Sequence, residues 1–146
     1  MAPELQISRD IVITAPPSAV FAALADPRKH ADFDGSGTVR NAISGPDRLT
    51  LGAQFGMSMK LFGVPYQITN TVVEFDEDRR IAWAHPGRHR WRYELAEFDG
   101  GTRVIETCDF STSPIGVVLV RTPWRRWNVE GIEKTLPRLK ALIENN

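Results

Sequence analysis

Apolar and polar positions alternate along most of the first two thirds of the chain, then switch to a three-and-four spacing near the C-terminus. Residues 6–14 (QISRDIVIT) are rich in β-branched side chains and predict a first strand. Ala15-Pro16-Pro17-Ser18 stops it, because proline cannot donate to a ladder but suits the first turn of a helix. Val20, Phe21 and Leu24 then recur at helical spacing and predict a short amphipathic helix over about 17–25. Asp26-Pro27 closes it, and Pro27 opens a second short helix that reaches about Asp32. Asp34-Gly35-Ser36-Gly37 reads as a flexible loop.

From there to about residue 112 the pattern is strands and turns. A strand over 38–43 is followed by the turn Ser44-Gly45-Pro46-Asp47. Across 54–62, Phe55, Met57, Met59 and Leu61 share one face; Ser58 and Lys60 take the other. Further strands are expected over 66–75, 80–85, 90–98 and 102–110, with Asp99-Gly100-Gly101 a strong hairpin signal. Beyond them Trp124, Trp127, Gly131 and Thr135, with Ile132, Leu136, Leu139 and Ile143, predict a long amphipathic helix over about 124–144. Pro137 lies inside it and removes one backbone bond, which predicts a kink. Consecutive strands on short turns imply an antiparallel sheet. The apolar stripe of the one long helix has only that sheet to cover, and a curved sheet wrapped on a single helix leaves space between them.

At 146 residues the chain suits one domain, expected to span 1–146, and needs neither disulfide nor metal to fold. Lys plus Arg equals Asp plus Glu at 18 each, so nothing selects for nucleic acid as a partner. The single cysteine, Cys108, rules out an internal disulfide and fits a reducing compartment. Residues 1–10 have no apolar h-region, and 115–120 is the longest strongly apolar run, too short for a transmembrane segment. These features point to the cytoplasm, and to a monomer by default. The three histidines, His30, His85 and His89, form no metal spacing, and no phosphate loop, dinucleotide fingerprint or Ser-His-Asp order is present, so no metal and no cofactor are expected.

This order of elements resembles the START-like (SRPBCC) superfamily, whose helix-grip fold includes the birch-pollen allergen and the polyketide cyclase/dehydrase group. Phe21-Ala22-Ala23-Leu24-Ala25-Asp26-Pro27 is similar to the first helix and its stop. Val73-Glu74-Phe75-Asp76 with Arg80-Ile81-Ala82-Trp83 is similar to the central strand pair. Trp91-Arg92-Tyr93-Glu94-Leu95 with Gly100-Gly101-Thr102-Arg103-Val104 is similar to the last hairpin. The resemblance covers about 4–144 and implies an α+β helix-grip fold: about seven antiparallel strands, two short helices after the first strand, and a long C-terminal helix closing the concave face. The superfamily spans lipid carriers, hormone receptors and cyclases, so the fold does not name the function.

In such a fold the concave face and the inner stripe of the long helix line a cavity. Alternation then places Phe55, Met57 and Met59 inward as either cavity wall or plain core, and methionine adapts well to varied ligands. Trp83 shares a face with His85, and Trp91 with Tyr93; each Trp or Tyr has an apolar body and one polar tip that seeks a partner. The helix brings Trp124, Trp127 and Gly131. Glu106 alternates with Val104 and Cys108, while Ile105 and Thr107 take the opposite face, so two registers compete. Facing inward, its carboxyl is costly unless paired, for instance with His85, and its pKa rises. Cys108 lacks a base and an electropositive setting, so it reads as a small buried apolar residue and, on the face shared with Glu106, as part of the expected cavity wall. Arg121, Arg125 and Arg126 crowd a helix start, where cations are unfavourable. This predicts that they have partners, or that the helix begins near Ile115; the neighbouring tryptophans are expected to pack inside.

Three functions follow. The first is a binder or carrier of a small hydrophobic molecule, lipid-like or aromatic, with one polar group. The second is a cyclase/dehydratase-type enzyme, with Glu106 as general acid/base and Tyr93 or His85 polarising a carbonyl. The third is a protein-interaction module docking through 115–120.

Overall fold

The computed structural model describes residues 4–145; the ends of the expected 1–146 domain, 1–3 and 146, lie outside the described residues. The strands are β1 (Gln6–Ile13), β2 (Val39–Ser44), β3 (Gln54–Leu61), β4 (Val64–Asp76), β5 (Arg80–Ala84), β6 (Arg90–Phe98) and β7 (Gly101–Asp109). Between β1 and β2 come α1 (Pro17–Leu24), a 3₁₀ turn (Pro27–Lys29) and α2 (His30–Phe33). After β7 come α3 (Gly116–Val120) and α4 (Pro123–Glu144). All strands join one antiparallel sheet in the order β1-β7-β6-β5-β4-β3-β2, so β1 crosses over to pair with β7. This is the helix-grip arrangement.

The local chemistry follows the sequence closely. Pro16 and Pro17 start α1, which buries Val20, Phe21 and Leu24. The Asp26 side chain accepts from the Arg28 amide and opens the 3₁₀ turn. Asp99 and Gly100, with φ of 49° and 78°, make the tight turn between β6 and β7. Across the sheet Phe55 and Met57 on β3, Ile81 on β5, Leu95 on β6 and Val104 on β7 all point inward. Against them α4 lays Ile132, Leu136 and Leu139. The far end of α4 is tied to β1: Thr14 N donates to Glu144 Oε2 (2.8 Å) and Lys140 Nζ to the Val12 carbonyl (2.9 Å).

Two irregularities shape the concave face. β4 shifts register against β5 between Val72 and Glu74, so Val72 and Val73 together oppose Trp83. This β-bulge reverses the alternation: Val72 points inward, and so does Phe75, whose ring meets Phe21 edge-on at 5.4 Å. Glu74 is thereby sent to the convex face, where it accepts from Arg90 (2.9 Å) and Arg92 (2.8 Å).

The second irregularity lies before α4. The helical stretch does begin near Ile115, but it breaks: α3 ends at Val120, and Thr122 caps α4 by accepting from the Trp124 amide. Arg121 therefore follows the C-terminal end of α3, where a cation is favourable. Arg125 lies 3.7 Å from Glu4 and Arg126 3.8 Å from Glu130. The arginines thus avoid the conflict with the α4 dipole by helix break and by pairing. Pro137 sits within α4, which continues to Glu144.

Candidate functional site

A cavity of about 320 Å³ lies between the concave face and α4, within the size range of small-molecule sites. Strands β2 to β7 contribute through their inward alternation. β3 supplies Met57 and Met59; β4 supplies Tyr66, Ile68 and Asn70; β5 supplies Trp83; β6 supplies Trp91 and Tyr93; β7 supplies Glu106. Trp124, Asn128, Gly131 and Thr135 of α4 form the opposite wall. His30 and Phe33 of α2, with Asp34 and Ser36 of the following loop, close one side.

That loop is clasped onto α4. Gly35 N donates to Thr135 Oγ1 (2.8 Å), which in turn donates to the Gly131 carbonyl (2.8 Å), and Arg138 donates to the Asp34 carbonyl (2.7 Å). A Cβ on Gly35 would stand 2.5 Å from Thr135 N and Lys134 Cβ, so only glycine lets the backbones approach this closely. Asp34 accepts from Ser36 N and Oγ (3.1 and 2.6 Å), and burial raises its pKa.

Glu106 takes the inward register and is 2% exposed. Its Oε2 accepts a hydrogen bond from the Tyr93 hydroxyl (2.8 Å), and Oε1 has no partner among the described residues. Burial pushes its pKa up to about 8, with the Asp34 charge adding to the rise and the Tyr93 bond opposing it. This favours the protonated acid at pH 7. Tyr93 is pushed well above the ordinary phenol value by burial and by the neighbouring carboxyl.

His85 is not the partner of Glu106. Its ring stacks on His89 at 4.9 Å and meets Trp91 edge-on at 6.0 Å; burial, with the His89 charge, lowers it to about 3. His30, which the sequence did not single out as a wall residue, donates its Nε2–H to the Leu24 carbonyl (2.9 Å) and stacks on Trp83 at 4.5 Å. Burial lowers it to about 4. All three histidines, His89 included, are held toward the neutral form by burial.

Eight of the residues expected in the wall line the cavity: Met57, Met59, Trp83, Trp91, Tyr93, Glu106, Trp124 and Gly131. Three stand elsewhere. Phe55 is fully buried behind the wall, packed edge-on against Trp83 (5.8 Å) and His30 (5.3 Å). Cys108 is fully buried, and burial pushes its thiol up, as a small apolar residue requires. Trp127 is 39% exposed, and Trp124, though it reaches the cavity, is 42% exposed. The expectation that these tryptophans pack inside is corrected: Trp127 lies between Trp124 (5.9 Å) and the exposed Phe62 of the β3–β4 turn (5.4 Å), a cluster beside the cavity. The missed wall residues Asn70, Tyr66 and Asp34 are polar positions that alternation alone gives no reason to prefer. No group of three metal-ligating side chains occurs among the described residues, and no helix there is long and apolar enough to cross a membrane.

The family described as "Polyketide cyclase / dehydrase and lipid transport" matches residues 4–144. The uncharacterized protein Rv0088 of Mycobacterium tuberculosis is 40% identical over 139 residues, covering 92% of this chain and 62% of that protein. The chain thus spans under two thirds of that relative's length. Among solved structures, protein NE0264 of Nitrosomonas europaea superposes with a TM-score of 0.73 at 16% identity, covering 97% of this chain and 95% of its own. The AHSA1-like protein of Aeromonas hydrophila gives 0.69 at 21% identity, covering 96% and 92%. At such identities these two likenesses concern the fold.

Proposed function

Since the chain belongs to the polyketide cyclase / dehydrase and lipid transport family, we propose that it binds a small, largely apolar molecule with one polar group in the cavity between sheet and α4. The observation that carries this reading is an apolar and aromatic cavity containing a buried carboxyl, Glu106, with an oxygen that no described residue satisfies. A buried unpaired polar group costs about 1–3 kcal/mol, and a ligand's polar group is a natural way to recover it. The methionines and tryptophans supply adaptable, low-polarity walls.

The test is tryptophan fluorescence, because Trp83, Trp91 and Trp124 line the cavity. Apolar aromatic compounds are expected to quench it saturably, and native mass spectrometry of protein from its own host is expected to carry a co-purified mass. Ile68→Phe, which enlarges a cavity-wall side chain on β4, is expected to weaken the quenching while the far-UV spectrum stays native. Unchanged quenching in that variant would place the ligand elsewhere.

One observation favours a second reading. A carboxyl whose pKa lies near 8 is matched to proton transfer at neutral pH, so a cyclase or dehydratase using Glu106 as general acid/base is the alternative. Glu106→Gln would then abolish turnover while sparing binding. Equal loss of both, or of neither, counts against catalysis.

A further inference from the structure

Building on that cavity-binding reading, we propose that the cavity selects an apolar amine: an aromatic-sized compound whose ammonium group sits against Glu106 and the ring faces around it. Three features of the wall point the same way.

The first is charge. The acidic groups Asp34 and Glu106 line the cavity, and no lysine or arginine does. Arg9 is paired in register with Glu106 across β1 and β7, but its guanidinium reaches out to Glu133 on α4 (3.4 Å). With the three histidines held neutral, an anionic ligand would meet carboxyls and no cation. The second is the set of buried polar atoms without a partner: Glu106 Oε1, Asn70 Oδ1 and His89 Nδ1. All three belong to residues lining this cavity; Asn70 Oδ1 and the ionised Glu106 carboxylate are acceptors, and His89 Nδ1 is one in the Nε2–H tautomer. An ammonium brings three donors and no acceptor, the complement of such a set. The third is the aromatic wall. Trp83, Trp91, Tyr93 and Trp124 surround the cavity, and indole faces attract cations most strongly where water is excluded.

Protons balance simply. Before binding, Glu106 is a neutral acid; on binding, its proton leaves to solvent and the carboxylate pairs with the ligand ammonium. The other titratable groups around it are Tyr93 on β6, Cys108 on its own strand and Asp34 after α2. α4 contributes Trp124, Asn128, Gly131 and Thr135, none of them charged. Amine affinity should therefore climb about tenfold per pH unit up to about pH 8, with release of about one proton. A neutral ligand accepting from the protonated acid would bind equally well across that range and release none.

The experiment uses three matched probes: naphthylmethylamine, naphthylmethanol and naphthoic acid. Binding is read by tryptophan quenching, and proton release by calorimetry in buffers of different ionisation heat, between pH 6 and 8. The amine is expected to bind at least about tenfold tighter than the alcohol, with proton release, and the acid weakest. Glu106→Gln is expected to erase both the preference and the proton release. If that variant loses its native near-UV spectrum, proton release by the unaltered protein decides alone. Alcohol binding as tight as the amine, or tighter binding of the acid, overturns the amine proposal and leaves the cavity-binding reading standing. Binding of none of the three counts against both.

Discussion

Glu106 sits where a strand's alternation meets an apolar wall, and its chemistry follows from having one donor and no cation. The Tyr93 hydroxyl is the group that holds its pKa down against burial. Tyr93→Phe removes that donor, so the carboxyl pKa is expected to move above 8. Infrared spectroscopy of the protonated carboxyl band checks this: the band should persist to higher pH in the variant. The lost bond should also cost about 1 kcal/mol of stability. Alternation with Val104 and Cys108 made the inward register of Glu106 one of two readable options. What decides between them is the pairing across the sheet, Glu106 against Tyr93 and Tyr93 against Ile81, which no local pattern encodes. His30 and Asn70 were invisible for a related reason. Each is a polar residue on the inner face of its element, and its burial depends on the Leu24 carbonyl in one case and on the cavity in the other.

At the scale of elements, the strands, the short helices and the long helix were readable because prolines and glycine turns punctuate clean periodicities. The departures were the places where one element is shaped by another. Nothing around Val73 announces a bulge; the bulge lets half-buried Phe75 pack edge-on against Phe21 while Glu74 meets Arg90 and Arg92 outside. Asp34-Gly35-Ser36-Gly37 has linker composition, yet Gly35 is locked to Thr135, 100 residues away. The consequence is testable. Gly35→Ala places a methyl 2.5 Å from α4 backbone, so the loop must lift and the Thr135 bond must lengthen. The variant is expected to lose about 1–3 kcal/mol in chemical unfolding. It should also weaken probe binding, because Asp34 and Ser36 form part of the cavity wall. Gly37→Ala is the control. It has open space around its Cβ, so its cost arises only from its φ of 78°, about 1 kcal/mol.

For the whole molecule, the buried titratable groups set a stability profile with opposing slopes. Folded Glu106 keeps its proton up to about pH 8, while the unfolded chain releases it near 4.5. Between those values the folded state binds more protons, so stability falls as pH rises, by about 1.4 kcal/mol per unit. Asp34, raised by burial, acts with the same sign. The histidines act the other way. His30 and His85 stay neutral in the fold down to about 4 and about 3, but the unfolded chain protonates them below 6.5. Stability therefore falls as pH drops below 6.5. Glu74 adds to the acid side because Arg92 holds its carboxyl low; Asp109 does so because bonds from Ser111 and Arg92 overcome its burial. Between 4.5 and 6.5 the three buried histidines oppose the raised carboxyls Glu106 and Asp34, and above 6.5 the histidines no longer contribute and the carboxyl slope remains. Thermal unfolding is thus expected to peak near pH 6.5 and to drop by about 5 °C on going to pH 8. Glu106→Gln should keep the acid limb and flatten the alkaline one. At pH 8 it should melt above the unaltered protein. A Tm that fell equally in both proteins above pH 6.5 would mean that the alkaline limb belongs to another group and that Glu106 is ionised in the fold.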